Sequence, residues 1–452
     1  MTRIDATLLR RHGGPAPRYT SYPGVPSWDT PPTAAQWLEH LSAAFDASDA
    51  PPGAAMYIHI PFCHAMCTFC GCNMRVTRNH SLVMPYVDTV LREWRLLRER
   101  LGRPRVQLGE LHLGGGTPTY LHAEELDALL AGVFAAAEAT DDASLTIEAD
   151  PRTTHRDQLQ VLRRYGFNRL SLGVQDLDPR VQDIVNRVQD AERIAGVTAD
   201  ARELGFTSIN YDLIYGLPLQ TADSIVATME AVMRLAPDRV AFYSYTHVPW
   251  IKPSQRRFTE ADLPEGDARR ELYQLGRDRL TAAGYVDIGM DHFARPGDAL
   301  AIAARDGSLN RNFMGYSPTR AQPLLGLGVS AISDAGTAFA QNDKNLQQYE
   351  ARIARDELPL QRGHVLNAED RVLRRHIGRL LTRYETRWTA SVDYTPWLDR
   401  VPERLEPLAQ EGLVELGDGE VRVTDSGRAF LRYVCLAFDA RLQRRARIEA
   451  VA

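Results

Sequence analysis

The chain of 452 residues predicts an α/β fold built on a parallel sheet. Three observations carry that prediction. From residue 54 onward, short apolar runs alternate with longer stretches of helical pattern. Glycine-rich and polar segments fall where those runs end, the position at which parallel α/β folds gather function. Past residue 300 the alternation gives way to helical segments around one short hairpin. Six strands alternating with helices imply a sheet curled into a barrel or partial barrel, followed by a smaller domain.

Residues 1 to 50 read as an N-terminal arm, helical in composition at 34–45 and extended at 18–23 (RYTSYP). It ends in the turn-rich DASDAPPG of 46–53. The predicted strands are 56–60, 110–113, 145–149, 169–174, 209–214 and 240–245. Between them, 82–101, 123–137, 156–165, 191–204 and 222–235 are predicted helices. Further on, 371–381 and 405–411 are helical, and 413–423 forms a hairpin turning at Gly417-Asp418-Gly419. A last helix is expected from 426 towards 447. Helices around a small hairpin suggest a winged-helix-like unit, and its mixed charge favours packing or a lid over nucleic-acid binding. The expected organisation is an arm at 1–50, a catalytic domain at 51–335 and a C-terminal helical domain at 336–452.

A formal charge of -5 and 44% hydrophobic content argue against a general polyanion binder. Arginine greatly outnumbers lysine, which occurs only at Lys252 and Lys344. Compositional bias is the simplest account of that. The opening residues lack a signal-peptide apolar stretch, and no apolar run reaches membrane-spanning length. A cytoplasmic, reducing compartment is therefore expected. Cys435, inside the apolar stretch 434–438, reads as a buried small hydrophobe.

The other four cysteines, Cys63, Cys67, Cys70 and Cys72, fall within ten residues as Cys-x3-Cys-x2-Cys-x-Cys. Three thiolates on one tight loop match a [4Fe–4S] cluster whose fourth iron has no protein ligand and is open to a small molecule. A closed zinc site needs four ligands, and no second Cys-x2-Cys pair exists elsewhere. The cysteine loop follows the first predicted strand, and Gly114-Gly115-Gly116-Thr117-Pro118 follows the second. Glu148 ends the third, Gln175 follows the fourth, and Asp212 lies in the fifth.

Cys-x3-Cys-x2-Cys with Phe69 before the third cysteine, joined to the glycine run ending in Thr117-Pro118, resembles the radical S-adenosylmethionine (SAM) superfamily. Over nearly the whole chain, RYTSYP, YIHIPFCHAMCTFCGCN, LHLGGGTPTYL, NRLSLGVQD, NYDLIYGLP, MDHFARP, RNFMGY and LLGLGVSAIS resemble the oxygen-independent coproporphyrinogen III oxidase (dehydrogenase) family. The resemblance implies a radical SAM partial (βα)6 barrel with an N-terminal arm and a mainly helical, winged-helix-like C-terminal domain. It implies oxidative decarboxylation of two propionates of coproporphyrinogen III to vinyls, giving protoporphyrinogen IX in heme synthesis. A reduced cluster would cleave SAM to methionine and a 5′-deoxyadenosyl radical, which takes hydrogen from the propionate β-carbon.

By position, Cys63, Cys67 and Cys70 would ligate iron, while Cys72 is the family's extra cysteine, associated with activity but not a ligand. Tyr57, Phe69, Gly115, Gly116, Thr117, Glu148, Gln175, Arg187, Asp212, Thr246 and Ile332 would line sites for two SAM molecules. Glycine would let the ligand approach the main chain, and Arg187 offers a fork for the methionine carboxylate. Arg18, Arg75, Arg78 and Arg311 are the expected partners of substrate carboxylates, with Tyr19 and Tyr22 of the arm flanking the macrocycle. An unidentified electron donor and acceptor, a monomer, and no nucleic acid or membrane partner complete the expectation.

Two departures from the family pattern stand out: Gly24 where threonine is common, and Thr246 in place of alanine. A heme chaperone of the same superfamily group is the main rival. It would carry His-Asn-x-x-Tyr-Trp where this chain has Arg311-Asn312-Phe313-Met314-Gly315-Tyr316-Ser317, and would lack Cys72 and RYTSYP. An anaerobic heme-opening radical SAM enzyme and a cluster-sensing DNA-binding regulator fit the full set of motifs less well.

Overall fold

A computed structural model describes residues 17–47 and 53–451, with side chains through Arg445. The remainder of the expected arm lies outside the described residues.

The core of the sheet is six parallel strands in chain order: β1 (Ala54–Ile60), β2 (Val106–Gly115), β3 (Ala137–Ala149), β4 (Arg169–Gln175), β5 (Ser208–Tyr215) and β6 (Arg239–Ser244). Six of the seven residues of β1 are buried, so it reads as an apolar run rather than an alternation. On the far edge β7 (Val286–Gly289) and β8 (His292–Ala294) add antiparallel, in the order β6-β8-β7. On the near edge β9 (Leu324–Leu327) pairs parallel with β1, and β10 (Ile332–Asp334), β11 (Ala338–Asn342) and β12 (Leu360–Val365) continue antiparallel. The sheet thus runs through the boundary expected at 335/336 and ends only at Val365. A short bend at 335–337 joins β10 to β11 and keeps the chain in the sheet.

The helices of the first half are α1 (Ala34–Ala47), α2 (Val83–Leu101), α3 (Ala123–Phe134), α4 (Arg156–Arg164), α5 (Pro179–Ile184), α6 (Ala191–Glu203), α7 (Ala222–Leu235) and α8 (Gly266–Ala282). In α2, Val83, Tyr86, Val87, Val90, Trp94 and Leu97 repeat at helical spacing and are buried as one stripe. Gly102 ends that helix with φ 65°, a left-handed turn that glycine adopts without strain.

Beyond them come α9 (Ala299–Asp306), α10 (Leu346–Ala354), α11 (Ala368–Arg383), α12 (Val401–Gln410), α13 (Leu431–Phe438) and α14 (Ala440–Val451). A small sheet of β13 (Glu385–Arg387), β14 (Val414–Gly417) and β15 (Glu420–Val423), ordered β13-β15-β14, sits among the last of these. The expected single last helix is broken at Asp439, which caps α14 by accepting from the Leu442 N–H at 2.9 Å.

Tyr19 and Tyr22 are buried in the C-terminal core with Leu373, Ile377, Leu380 and Phe438, and the Tyr19 hydroxyl donates to Asp439 at 3.1 Å. Neither tyrosine is free to flank a macrocycle. Their aromatic area goes into joining arm to C-terminal domain, where burial stabilises more than exposure over a cavity.

Candidate functional site

The site begins where β1 ends. Residues 62–63 pair parallel with 75–76, and that clasp pinches off the loop carrying the four cysteines. Cys63 and Cys67 are buried, Cys70 is half-buried and Cys72 is exposed; none forms a disulfide.

Each of the three expected ligand sulfurs faces a polar partner. Cys63 Sγ lies 3.3 Å from Thr117 Oγ1, and Cys67 Sγ accepts from Arg187 Nη1 at 3.5 Å. Cys70 Sγ accepts the Cys72 main-chain N–H at 3.4 Å. Interaction with Cys72, acting against burial, holds the Cys70 thiol down at about 6. Cys70 is thereby held towards thiolate, the ligating form, whereas burial pushes the Cys63 thiol up to about 11 against the Thr117 bond.

No three of these sulfurs lie within 4.8 Å of one another. One zinc ion at about 2.3 Å from each sulfur would draw them to within about 3.8 Å. The wider spread suits a cluster, in which each sulfur bonds a different iron. By donor type, spacing and surroundings, the three cysteines fit a [4Fe–4S] centre.

All three sulfurs open on one cavity of about 840 Å³, lined also by Phe69, Cys72, Gly115, Gly116, Thr117, Glu148, Gln175, Arg187, Asp212 and Thr246. Tyr57 and Ile332 instead border an adjoining groove of about 900 Å³, which shares Cys70, Cys72, Gly115 and Glu148 with the cavity. The strand ends therefore bring every expected SAM-lining residue to one of two connected spaces.

Glu148, at the end of β3, accepts from His112 Nε2 at 3.1 Å and from the Gly115 N–H at 3.2 Å. Burial pushes its carboxyl up, but these bonds and the His112 charge outweigh that and keep it below the usual value. Asp212 accepts from Ser171 Oγ at 3.0 Å and Asn210 Nδ2 at 2.9 Å; burial and the Glu148 charge raise it to about 6. At Gln175 the register of β4 on β5 slips and φ is 67°, which turns the chain at the cavity wall.

The glycines also let this run pack closely against the end of β1. A Cβ on Gly115 would meet the His59 ring at 2.8 Å, and one on Gly116 would meet the Pro61 carbonyl at 2.7 Å. The space a side chain would need is filled by the protein's own β1 end. Both glycines border the cavity.

Arg187 is also committed. Nη1 pairs with Asp150 at 3.1 Å besides Cys67, while Nε and Nη2 donate to the Gly173 carbonyl at 3.2 and 2.6 Å. Asp150 is bound from its other side by Arg152, whose Nη2 donates at 2.7 Å. Sequence reading missed Asp150, Arg152 and His112. A signal existed for Asp150, which follows Glu148 by two residues and so leaves the strand on the same face.

Of the expected carboxylate partners, Arg18 reaches the cavity; it donates to the Ser244 carbonyl at 2.6 Å and lies 5.4 Å from the Tyr243 ring centre. Arg311 stands behind it, donating to the main-chain carbonyls of Arg18 and Tyr19 at 3.4 Å, so it holds the arm. Arg75 and Arg78 are exposed and border neither space. Gly24 has φ -66° and a Cβ there would meet Pro26 at an ordinary 3.8 Å, so the backbone would accept the threonine common in the family. Thr246 borders the cavity, and its carbonyl accepts from Gln255 Nε2 at 3.1 Å.

Residues 57–232 match the sequence profile of the radical SAM superfamily. Fold and cysteine site together define a radical SAM protein. The oxygen-independent coproporphyrinogen III oxidases of Salmonella typhimurium and Escherichia coli are each 40% identical, over 98% of this chain and 97% of theirs. That of Pseudomonas aeruginosa is 39% identical over 97% of this chain and 96% of its own. A solved structure described as E. coli coproporphyrinogen III oxidase, a radical SAM enzyme, superposes with a TM-score of 0.89 at 38% identity, covering 97% of this chain and 99% of that one.

The chain belongs to the oxygen-independent coproporphyrinogen III oxidase family. It is a radical SAM oxidoreductase, with a [4Fe–4S] cluster and SAM as its cofactors. No helix among the described residues is long and apolar enough to cross a membrane.

Proposed function

We propose that this chain oxidatively decarboxylates two propionate side chains of coproporphyrinogen III to vinyl groups without oxygen, giving protoporphyrinogen IX. The observation that carries it is the opening of Cys63, Cys67 and Cys70 on the same cavity as Thr117, Glu148, Gln175 and Asp212, in a chain matching oxidases of that name end to end. Bound cluster and SAM together supply one-electron cleavage of the sulfonium and a radical able to take hydrogen from a propionate.

The protein's own groups bind and orient. Cys63, Cys67 and Cys70 hold iron, and Arg187 and Arg152 place positive charge beside Cys67. Glu148, fixed by His112 and the Gly115 N–H, stays ionised at neutral pH and offers an acceptor to ribose hydroxyls or an ammonium. Asp212 and Gln175 add acceptors and donors on the opposite strands. Tyr57 and Phe69 exclude water from the two spaces. The connected cavity and groove give room for two SAM molecules. A cytoplasmic monomer that takes electrons from a separate carrier accords with the thiol-rich site.

The test is an anaerobic assay of the reconstituted protein with SAM, a reductant and coproporphyrinogen III, resolved by chromatography. Protoporphyrinogen formed together with 5′-deoxyadenosine and methionine is the expected result. Cys72→Ala is expected to keep its iron and lose porphyrinogen conversion. A cluster-loaded, SAM-cleaving protein that leaves the porphyrinogen unchanged would refute the proposal.

A further inference from the structure

Lys252 and Lys344 are the chain's only lysines, and both border the groove beside the cysteine loop. They come from opposite halves of the sheet, Lys252 after β6 and Lys344 after β11. Consecutive residues of the cysteine loop tie them together. Lys252 Nζ donates to the Cys72 carbonyl at 3.2 Å, and Asn73 Nδ2 donates to the Lys344 carbonyl at 3.0 Å.

The electrostatics of that mouth are one-sided. Partial burial, Arg362 and Lys252 all pull the Lys344 ammonium below its ordinary value. Among the described carboxylates only Glu148 lines the groove, and His112 and the Gly115 N–H already engage it. The groove is lined by apolar side chains, Met66, Phe313, Met314 and Ile332, and by polar ones, among them Asn73, Ser330 and Gln341. Among the described residues neither lysine ammonium is ion-paired with a carboxylate that lines the groove.

We infer that Lys252 and Lys344 form a carboxylate-binding mouth that receives propionate groups of the substrate. The inference rests on the proposed function, which supplies an apolar ring carrying four carboxylates. It replaces Arg75 and Arg78, which border neither space, with a pair that does. Each ammonium sits partly in solvent, so its contribution falls with ionic strength. The amino-acid carboxylate of SAM has the same chemistry and is the competing occupant.

The experiment uses reconstituted, cluster-loaded Lys252→Gln, Lys344→Gln and double variants beside the parent. Two quantities are read: equilibrium binding of coproporphyrin III and of its tetramethyl ester, and separate KM values for coproporphyrinogen III and SAM. Each single change is expected to weaken coproporphyrin binding and raise the porphyrinogen KM about five- to tenfold, the loss of one charge-assisted contact. Ester binding, the SAM KM and the cluster's electron paramagnetic resonance signal are expected to match the parent. Lys252→Arg is expected to restore most of the affinity.

A double variant that binds coproporphyrin III as the parent does would overturn the inference. So would a rise confined to the SAM KM, which would assign the mouth to the methionine carboxylate. A parent protein that neither binds nor converts the porphyrinogen would remove the proposed function and this inference together. A parent that converts it, with variants of unchanged KM, would remove the lysine assignment alone.

Discussion

His292, in the MDHFARP segment, shows how much a single buried group reports about its surroundings. Nδ1 meets the Met290 carbonyl at 2.9 Å, Nε2 meets the Tyr243 hydroxyl at 3.2 Å, and the Tyr316 ring lies edge-on at 5.3 Å. Burial first, then the Arg311 charge, lowers its pKa to about 3. An unfolded chain protonates histidine near pH ~6.5, so below that value the unfolded state binds the extra proton and gains. The group therefore leaves stability untouched above about pH 6.5 and subtracts from it as pH falls, by roughly 2 kcal/mol at about pH 5. His292→Gln is expected to remove that slope. The thermal midpoints of parent and variant, compared at pH 7.5 and pH 5, should shift in favour of the variant at the lower pH. A difference independent of pH would show that His292 is charged in the fold. At this scale the cysteines were legible, because spacing within one loop survives in any conformation. The partners of His292 and Arg187 were not, because they arrive from other strands.

The element that decides the site is the junction of β1 and β2. The Gly116 N–H donates to the Ile60 carbonyl at 2.8 Å, and an added Cβ would strike the carbonyls of Pro61 and Phe62 at 2.7 and 2.9 Å. Neither carbonyl can retreat, since Phe62–Cys63 is paired with Arg75–Val76 and carries the first cysteine. Gly116→Ala is expected to lower stability by about 1–3 kcal/mol, in the range of core overpacking. It should also displace Cys63 relative to Thr117. Iron content after reconstitution and the thermal midpoint test this together; a variant equal to the parent in both would mean that the junction is soft. The glycine run was visible in the sequence, and so was its place after a strand. Its reason was not, because close approach of two strand ends is a property of the pairing.

The arm, the barrel and the C-terminal helices are joined by packing that no single element encodes. Tyr22 is 2% exposed within the C-terminal core, yet its hydroxyl has no hydrogen-bond partner among the described residues. Tyr22→Phe removes an unsatisfied polar atom and is expected to leave stability equal to the parent or raise it by about 1–2 kcal/mol. Tyr22→Ala empties a ring-sized space and should cost about 3–5 kcal/mol. Because Arg18 follows the same segment into the cavity, the alanine variant should also expose the arm to protease and weaken substrate binding. Limited proteolysis and thermal melting of both variants check this, and a Tyr22→Phe protein as unstable as Tyr22→Ala would reveal a partner for the hydroxyl.

The sequence by itself determined the alternation of strands and helices, the three-cysteine loop and the order in which polar residues leave the strands. Those features are local: periodicity and spacing are set by the chain and persist through folding. Only the tertiary structure decided that β9 joins β1 as a further parallel strand, that the sheet continues past residue 335, and that Tyr19 and Tyr22 face the C-terminal core. It also set Lys252 and Lys344 on one groove. Each of these depends on segments far apart in the chain coming within a few ångströms. That proximity follows from how the whole apolar surface is buried at once, which no short stretch of residues can express.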